Sequence, residues 1–397
     1  MDTHRPPHRK QFADRVVRDS PEVLQAFCDE AADTLHAARR ARRHKRFHGK
    51  CMRQLWKLGF VVLKADDDQV DIFREAFADE IEFIERDLED HATTSIWGLD
   101  RIDQRNLPLD GSYGPITDSA GNAVDGSGVH IYIFDTGVAD HPDYSSRLGI
   151  GRSFVEDDDD HSDYSGHGSH CAGTAAGTTY GVAKGATLHS IKVLGNDGYG
   201  YNSWTISGID WVVNKHNTMF PGTRAVLSMS LGGYGGVASY TVAIDAAAAA
   251  GFISVVAAGN DTDDACYQAP SGVPSAVTVG ALDRTDKPSW FTNYGTCVDI
   301  FAAGSSIESV NYQGGSSVKS GTSMACPHVA GLAALHLQAN KDLTVEELTA
   351  EILENGTPDI IQEPDDKGSP NLIAHVPKLV RGATRSDGET HPRELAD

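Results

Sequence analysis

The chain has 397 residues, 40% hydrophobic and 8% aromatic, a size and composition that suit one large core with a smaller unit beside it. Its formal net charge of −22 argues against nucleic acid as the main partner, because a polyanion is repelled at ordinary salt. No window approaches about 18 uninterrupted apolar residues, so no spanning helix and no membrane partner are expected. Six cysteines without CxxC spacing are too few for a disulfide scaffold and do not match a zinc module.

Residues 1–90 are nearly neutral, so the acid excess falls on the rest of the chain. The start, MDTHRPPHRKQFADRVV, has no apolar run after its charges, and no signal peptide is visible. SPEVLQAFCDEAADTLHAARRA has helical spacing, and GFVVLKA, VDIFREAFA and EIEFIER then read as strand, helix and strand, together a small α+β unit. The basic run RRARRHKR at 39–46 fits a localisation or nucleic-acid patch, a processing site, or a face that docks on an acidic partner.

From about residue 95 to 376 the chain turns rich in glycine, alanine and serine. HIYIFD, ATLHSIKVLG, AVLSMSLG, FISVVAAGN and AVTVGAL are short strand candidates. NSWTISGIDWVVNKHN, VASYTVAIDAAAAAG and the stretch after Ser323 are helical and lie between or after them. This alternation predicts an α/β fold, a mainly parallel sheet between helices, with ligands bound at the carboxyl ends of strands. The closing KLVRGATRSDGETHPRELAD is polar and aperiodic and is expected to be a disordered tail.

The reactive side chains fall in four stretches. HIYIFDTGV ends a strand on Asp135, which fits a turn cap; the D-T-G of aspartic proteases would need a second D-[ST]-G, and the sequence has none. GHGSHCAG carries His167 and His170 at i and i+3, a spacing open to a metal pair, a solvated pair or a catalytic base. SGTSMACPHVAG puts Ser323 at the entry of an apolar helix, where it fits either a cap or a nucleophile. His328 lies about 140° further round that helix and cannot be the serine's base, so a base must arrive from elsewhere. His167 meets that need, with Asp135 to fix its tautomer. AAGN at 257–260 then offers the Asn260 amide, beside the Ser323 N–H, to a developing oxyanion.

DTGV (135–138), GHGSHCAGT (166–174), SLGG (230–233), AAGN (257–260) and SGTSMACPHVAGL (320–332), in that order, resemble the signature stretches of the subtilisin-like serine proteases. WGLDRIDQRNLPLDGSY at 97–113 resembles the mature start of the proteinase K and aqualysin branch. The resemblance covers about residues 95–376. It implies a three-layer subtilisin-like fold and a serine endopeptidase with Asp135, His167 and Ser323 as triad and Asn260 as oxyanion donor. It also implies an extended substrate paired between Gly198, Tyr199, Gly200 and Ser230, Leu231, Gly232, and hence broad cleavage. Ala258 and Gly259 belong to the same cleft, with Asp261 expected at the rim of the first side-chain pocket as an acceptor for basic residues.

The resemblance further implies a Cys266–Cys297 disulfide and a structural calcium held by Asp299 with the Pro274 and Ala276 carbonyls. Residues 1–92 are similar to an inhibitory propeptide, 93–377 to the catalytic domain, and 378–397 form the tail. A zymogen is expected to cut itself between about 88 and 96, with protein and peptide substrates, its own propeptide as inhibitor, a monomeric state and a secreted or vesicular location. Cys171 is a free thiol known among proteinase K relatives, whereas Cys326 stands where threonine is commoner. The rival reading is a catalytically silent member of the fold that regulates a protein partner.

Overall fold

The computed structural model describes residues 11–16, 50–55, 60–64, 74–78, 81–87, 96–118, 121–365 and 367–377. The chain divides into two compact units, 1–92 and 93–397. In the first, β1 (Gln11–Val16), β2 (Lys50–Leu55), β3 (Phe60–Lys64) and β4 (Ile81–Asp87) form an antiparallel sheet in the order β2-β3-β1-β4. The expected strands within GFVVLKA and EIEFIER are β3 and β4. The polar strands QFADRV and KCMRQL went unread, since neither alternates. The helix expected over SPEVLQAFCDEAADTLHAARRA and the tail beyond 377 lie outside the described residues.

The second unit begins with α1 (Trp97–Ile102), then β5 (Val129–Asp135), β6 (Leu148–Ser153), α2 (His167–Ala176) and β7 (Thr187–Lys192). Next come α3 (Asn202–Met219), β8 (Arg224–Met229), β9 (Gly233–Tyr234), α4 (Val237–Ala249), β10 (Phe252–Ala257), β11 (Gln268–Ala269), β12 (Val277–Leu282) and β13 (Ile300–Ala303). The hairpin β14 (Ile307–Val310)–β15 (Ser316–Lys319) leads into α5 (Thr322–Ala339), α6 (Val345–Asn355), β16 (Thr357–Pro358) and β17 (Leu372–Ile373). Nine of these strands form one sheet, β16-β17-β13-β12-β10-β8-β5-β7-β6, parallel except for the β16–β17 edge pair.

VHIYIFD is buried along its whole length because helices cover both sheet faces. Its alternate residues divide between two cores. Ile131 and Ile133 pack with Ala172, Ala175, Val329 and Leu332 of α2 and α5, whereas Tyr132 and Phe134 pack with Ile209, Val212 and Ile244 of α3 and α4. Helix α5 is buried at every residue but Gln338, which requires small side chains where it crosses its neighbours. At Gly331 a β-carbon would stand 2.7 Å from the Ala175 carbonyl oxygen, so only glycine fits this crossing. The strand order reverses between β5 and β8, and crevices form at the carboxyl ends of strands at such a switch point.

Candidate active site

Asp135 is the last residue of β5 and is fully buried. Its Oδ1 accepts from the Thr136 N–H at 2.7 Å and from His167 Nδ1 at 2.7 Å. That bond fixes the proton on Nδ1 and leaves Nε2 as the basic nitrogen. His167 opens α2. Close approach of α2 to the β5 turn depends on Gly168, where a β-carbon would stand 2.0 Å from the Gly137 carbonyl oxygen.

The start of α2 is tied to the sheet edge by Asp163, a carboxylate 1% exposed. Asp163 accepts from the Thr136 hydroxyl (2.9 Å) and from the N–H groups of Ser165 (2.9 Å), Gly166 (2.8 Å) and Ser169 (2.8 Å). It therefore caps the helix that carries His167. The His167 ring is mostly enclosed, its side chain 29% exposed, and burial pulls its pKa down. The charge of Asp135 and its hydrogen bond outweigh burial, so the net shift is upward from 6.5.

Ser323 is the second residue of α5. Its Oγ donates to the Ser230 carbonyl oxygen at 3.3 Å rather than to the imidazole. Proton transfer to His167 therefore requires the hydroxyl to turn toward Nε2, a contact that commonly tightens only with substrate bound. Pro327 stands four residues on and has no N–H, so the Ser323 carbonyl lacks its helical partner. The Ser230 hydroxyl (2.9 Å) and the Cys171 thiol (3.3 Å) donate to that oxygen instead. Both therefore hold the backbone of the nucleophile.

Asn260 follows β10, and its Oδ1 accepts from the Thr322 N–H at 2.8 Å and the Thr322 hydroxyl at 3.0 Å. With the oxygen engaged by the α5 terminus, the amide nitrogen is left to donate, as oxyanion stabilisation requires. Thr322 also accepts from the Gly259 N–H at 3.1 Å and so braces both sides of the asparagine. A cleft of about 530 Å³ runs past these groups. Its lining includes His167, Ser323 and Asn260 together with Gly198, Tyr199, Gly200, Ser230, Leu231 and Gly232.

Ala258 is fully buried, and neither it nor Gly259 lines the cleft. Asp261 does not line it either, because its Oδ2 accepts from the buried Gln268 amide at 2.7 Å. Cys266 and Cys297 form the expected disulfide, and Cys171 and Cys326 are free and buried. His328 is buried, with Nδ1 on the Met324 carbonyl at 2.8 Å, and stays apart from Ser323. The His167 ring, the Asp135 carboxylate and the Cys171 thiol also have ligand atoms within 4.8 Å of one another.

A carboxylate–imidazole pair beside a helix-terminal serine, with an anchored asparagine opposite, is the equipment of acyl transfer through a tetrahedral intermediate. Residues 126–375 match the subtilase family, Peptidase S8. The chain belongs to the subtilase family of serine endopeptidases. The subtilase is 44% identical over 304 residues to the extracellular serine proteinase of Thermus sp. strain Rt41A, a match spanning 75% of this chain and 71% of that one. It is 45% identical over 284 residues to alkaline serine exoprotease A of Vibrio alginolyticus, spanning 71% of this chain and half of that longer protein. A crystal structure of a cold-adapted subtilisin-like serine proteinase superposes with a TM-score of 0.65 at 44% identity, covering 71% of this chain and 98% of that one. These likenesses agree with the three-layer fold and the serine-protease expectation; none favours a silent regulator.

Sequence reasoning missed Asp163, Thr322 and the structural part of Cys171. The capping role of Asp163 was hidden because it stands before the N-cap Gly166 rather than at it. Thr322 lies inside a motif whose serine drew the attention.

Proposed function

We propose that Ser323 attacks the scissile carbonyl of a protein substrate, that His167 Nε2 takes its proton and returns it to the leaving amine, and that Asp135 holds the imidazolium. The Asn260 amide and the Ser323 N–H stabilise the oxyanion, helped by the N-terminal end of α5. The observation that carries this reading is the 2.7 Å His167–Asp135 bond in a cleft shared with Ser323 and Asn260. Pairing of the substrate backbone with the exposed segment Gly198–Gly200 and with Ser230–Gly232, of which Gly232 is exposed, supports broad specificity.

Residues 1–92 act as a propeptide that the enzyme removes itself. Support comes from the division of the chain at residue 92 and from the acid excess of the second unit, which complements the basic run 39–46. A calcium ion suits Asp299 with the Pro274 and Ala276 carbonyls. These stand at the starts of the adjacent strands β12 and β13, where Asp299 and Thr278 already exchange bonds of 2.9 Å (N–H to O) and 2.9 Å (Oδ2 from N–H). Asp299 and the two carbonyls would hold it through hard oxygen ligands, and it would neutralise the carboxylate charge there. The naming of the Thermus relative as extracellular supports export.

N-terminal sequencing and casein hydrolysis of the full chain and of Ser323→Ala test the reading. The wild type should lose a segment ending between about 88 and 96 and digest casein, and the variant should do neither. Casein digestion by the variant would overturn it.

A further inference from the structure

Among the described residues, two cleft-lining side chains carry a titratable or fixed positive charge, His167 and Lys319, and no aspartate or glutamate lines the cleft. Lys319 is half-buried, and none of the ion pairs among the described residues includes it. A lysine kept in a groove without a carboxylate partner is poised for a negative group that arrives with the ligand.

The position of Lys319 along the substrate follows from how its strand is held. It ends β15, where it pairs with Ile307 of β14. This hairpin is tied to α2 by His170, three residues beyond His167. The buried His170 Nε2 faces the carbonyls of Ile307 (3.0 Å) and Ser317 (3.1 Å), and the Ser309 hydroxyl donates to the His170 carbonyl at 2.9 Å. Lys319 is thus fixed on the His167 side of the cleft, and its positive charge opposes protonation of that ring. The glycine-rich walls Gly198–Gly200 and Ser230–Gly232 belong to other strand ends and serve the acyl side. His167 protonates the departing amine, so the residues next to it are those of the leaving group.

We infer that Lys319 is a specificity-determining residue that selects an acidic side chain on the leaving-group side of the scissile bond, at the first or second residue after the cut. This rests on the serine-endopeptidase reading of the same cleft. A permanent cation there gives a preference that the sequence-tolerant backbone pairing of the acyl side does not supply. It also separates local from global charge, because a body of strongly negative net charge otherwise repels acidic substrates.

The test uses internally quenched peptides with a constant acyl side and Asp, Glu, Ala, Ser or Lys at each of the two leaving-group positions. These are assayed with the mature enzyme and with Lys319→Ala and Lys319→Glu. In the wild type, kcat/KM for the acidic peptides should exceed that for the alanine peptide by roughly three- to fivefold at low salt and fall toward parity in about 1 M NaCl. Lys319→Ala should bring the ratio to about one, and Lys319→Glu should invert it in favour of lysine. In Lys319→Ala the acid limb of the kcat/KM profile should also move to higher pH, because a cation that opposes protonation of His167 is gone. Equal wild-type rates on acidic and neutral peptides, or a preference that survives both substitutions, would overturn the inference while leaving the protease reading standing. Failure of the folded wild type to cut any peptide would instead remove the protease reading and this inference with it.

Discussion

Replacing Thr322 by valine keeps the volume of the side chain and deletes one hydroxyl, so it isolates what that hydroxyl does for Asn260. In the structure it donates to Asn260 Oδ1 at 3.0 Å and accepts from the Gly259 N–H at 3.1 Å, while the Thr322 backbone N–H keeps its own 2.8 Å bond to the same Oδ1. Asn260 therefore loses one of two anchors and keeps the other. Deleting an oxyanion donor outright costs about 2.7–4 kcal/mol, a figure that itself comes from a subtilisin asparagine. Loosening one anchor should cost about 1 kcal/mol, or about fivefold in kcat, since 1.36 kcal/mol is tenfold. The oxyanion exists only in the transition state, so KM should hardly move. The half-exposed Gly259 N–H left without its acceptor should lower stability by about 1 kcal/mol. Steady-state kinetics on a peptide anilide, with active-site titration, measures both constants, and Asn260→Ala supplies the full-loss reference. If Thr322→Val keeps kcat within twofold while Asn260→Ala loses a hundredfold or more, Thr322 does not position the amide. The same conclusion follows if the valine change appears in KM alone.

Three other outcomes follow from the structure. His130, His189 and His216 are all buried; His130 and His189 share a 2.7 Å hydrogen bond, and the hydroxyl of the neighbouring titratable Tyr132 lies 2.9 Å from His216 Nδ1. Burial holds His130 at about 4 and His189 at about 3, both below 6.5, so the unfolded chain takes up these protons first. Stability is complete above pH 6.5 and should fall as pH drops from there toward 4, by about 3 kcal/mol for His130 alone. Urea midpoints from pH 7 to 4.5 should decline, less steeply in His130→Asn, and an unchanged slope in that variant refutes the assignment. Gly168→Ala should separate α2 from the Gly137 carbonyl and cut kcat at least tenfold, and a variant that keeps wild-type kcat contradicts the close-approach argument. Breaking the Cys266–Cys297 link, 31 residues apart in sequence, by the double serine variant should cost about 3–4 kcal/mol, read as a shift in the urea midpoint.

Much of the catalytic unit was legible because its signals are local. HIYIFD announces a buried parallel strand, and the glycine around His167 and the small residues after Ser323 report backbone approaches that larger side chains forbid. Asp135 ends a strand, His167 and Ser323 lie in the first turns of helices and Asn260 follows a strand closely, so local signals place all four near strand ends or helix starts. What stayed hidden depends on contacts between distant segments. Asp163 joins the start of α2 to the hydroxyl of Thr136, 27 residues earlier, and Cys171 matters because Pro327 removes a hydrogen bond 152 residues away from it, at Ser323. The bond from Gln268 to Asp261 was hidden for the converse reason, since Gln268 is polar yet lies fully inside the fold. The strands Gln11–Val16 and Lys50–Leu55 lack periodicity, and their pairing with neighbouring strands identifies them.

In the proposed mechanism Ser323 is made nucleophilic by His167 and Asp135. Intact-mass analysis after exposure to an excess of fluorophosphonate measures it directly. One adduct per mature chain is expected, mapped to Ser323, absent from Ser323→Ala and formed at least a hundredfold more slowly in His167→Ala. An adduct that persists in folded Ser323→Ala, or a labelling rate indifferent to His167, would contradict it.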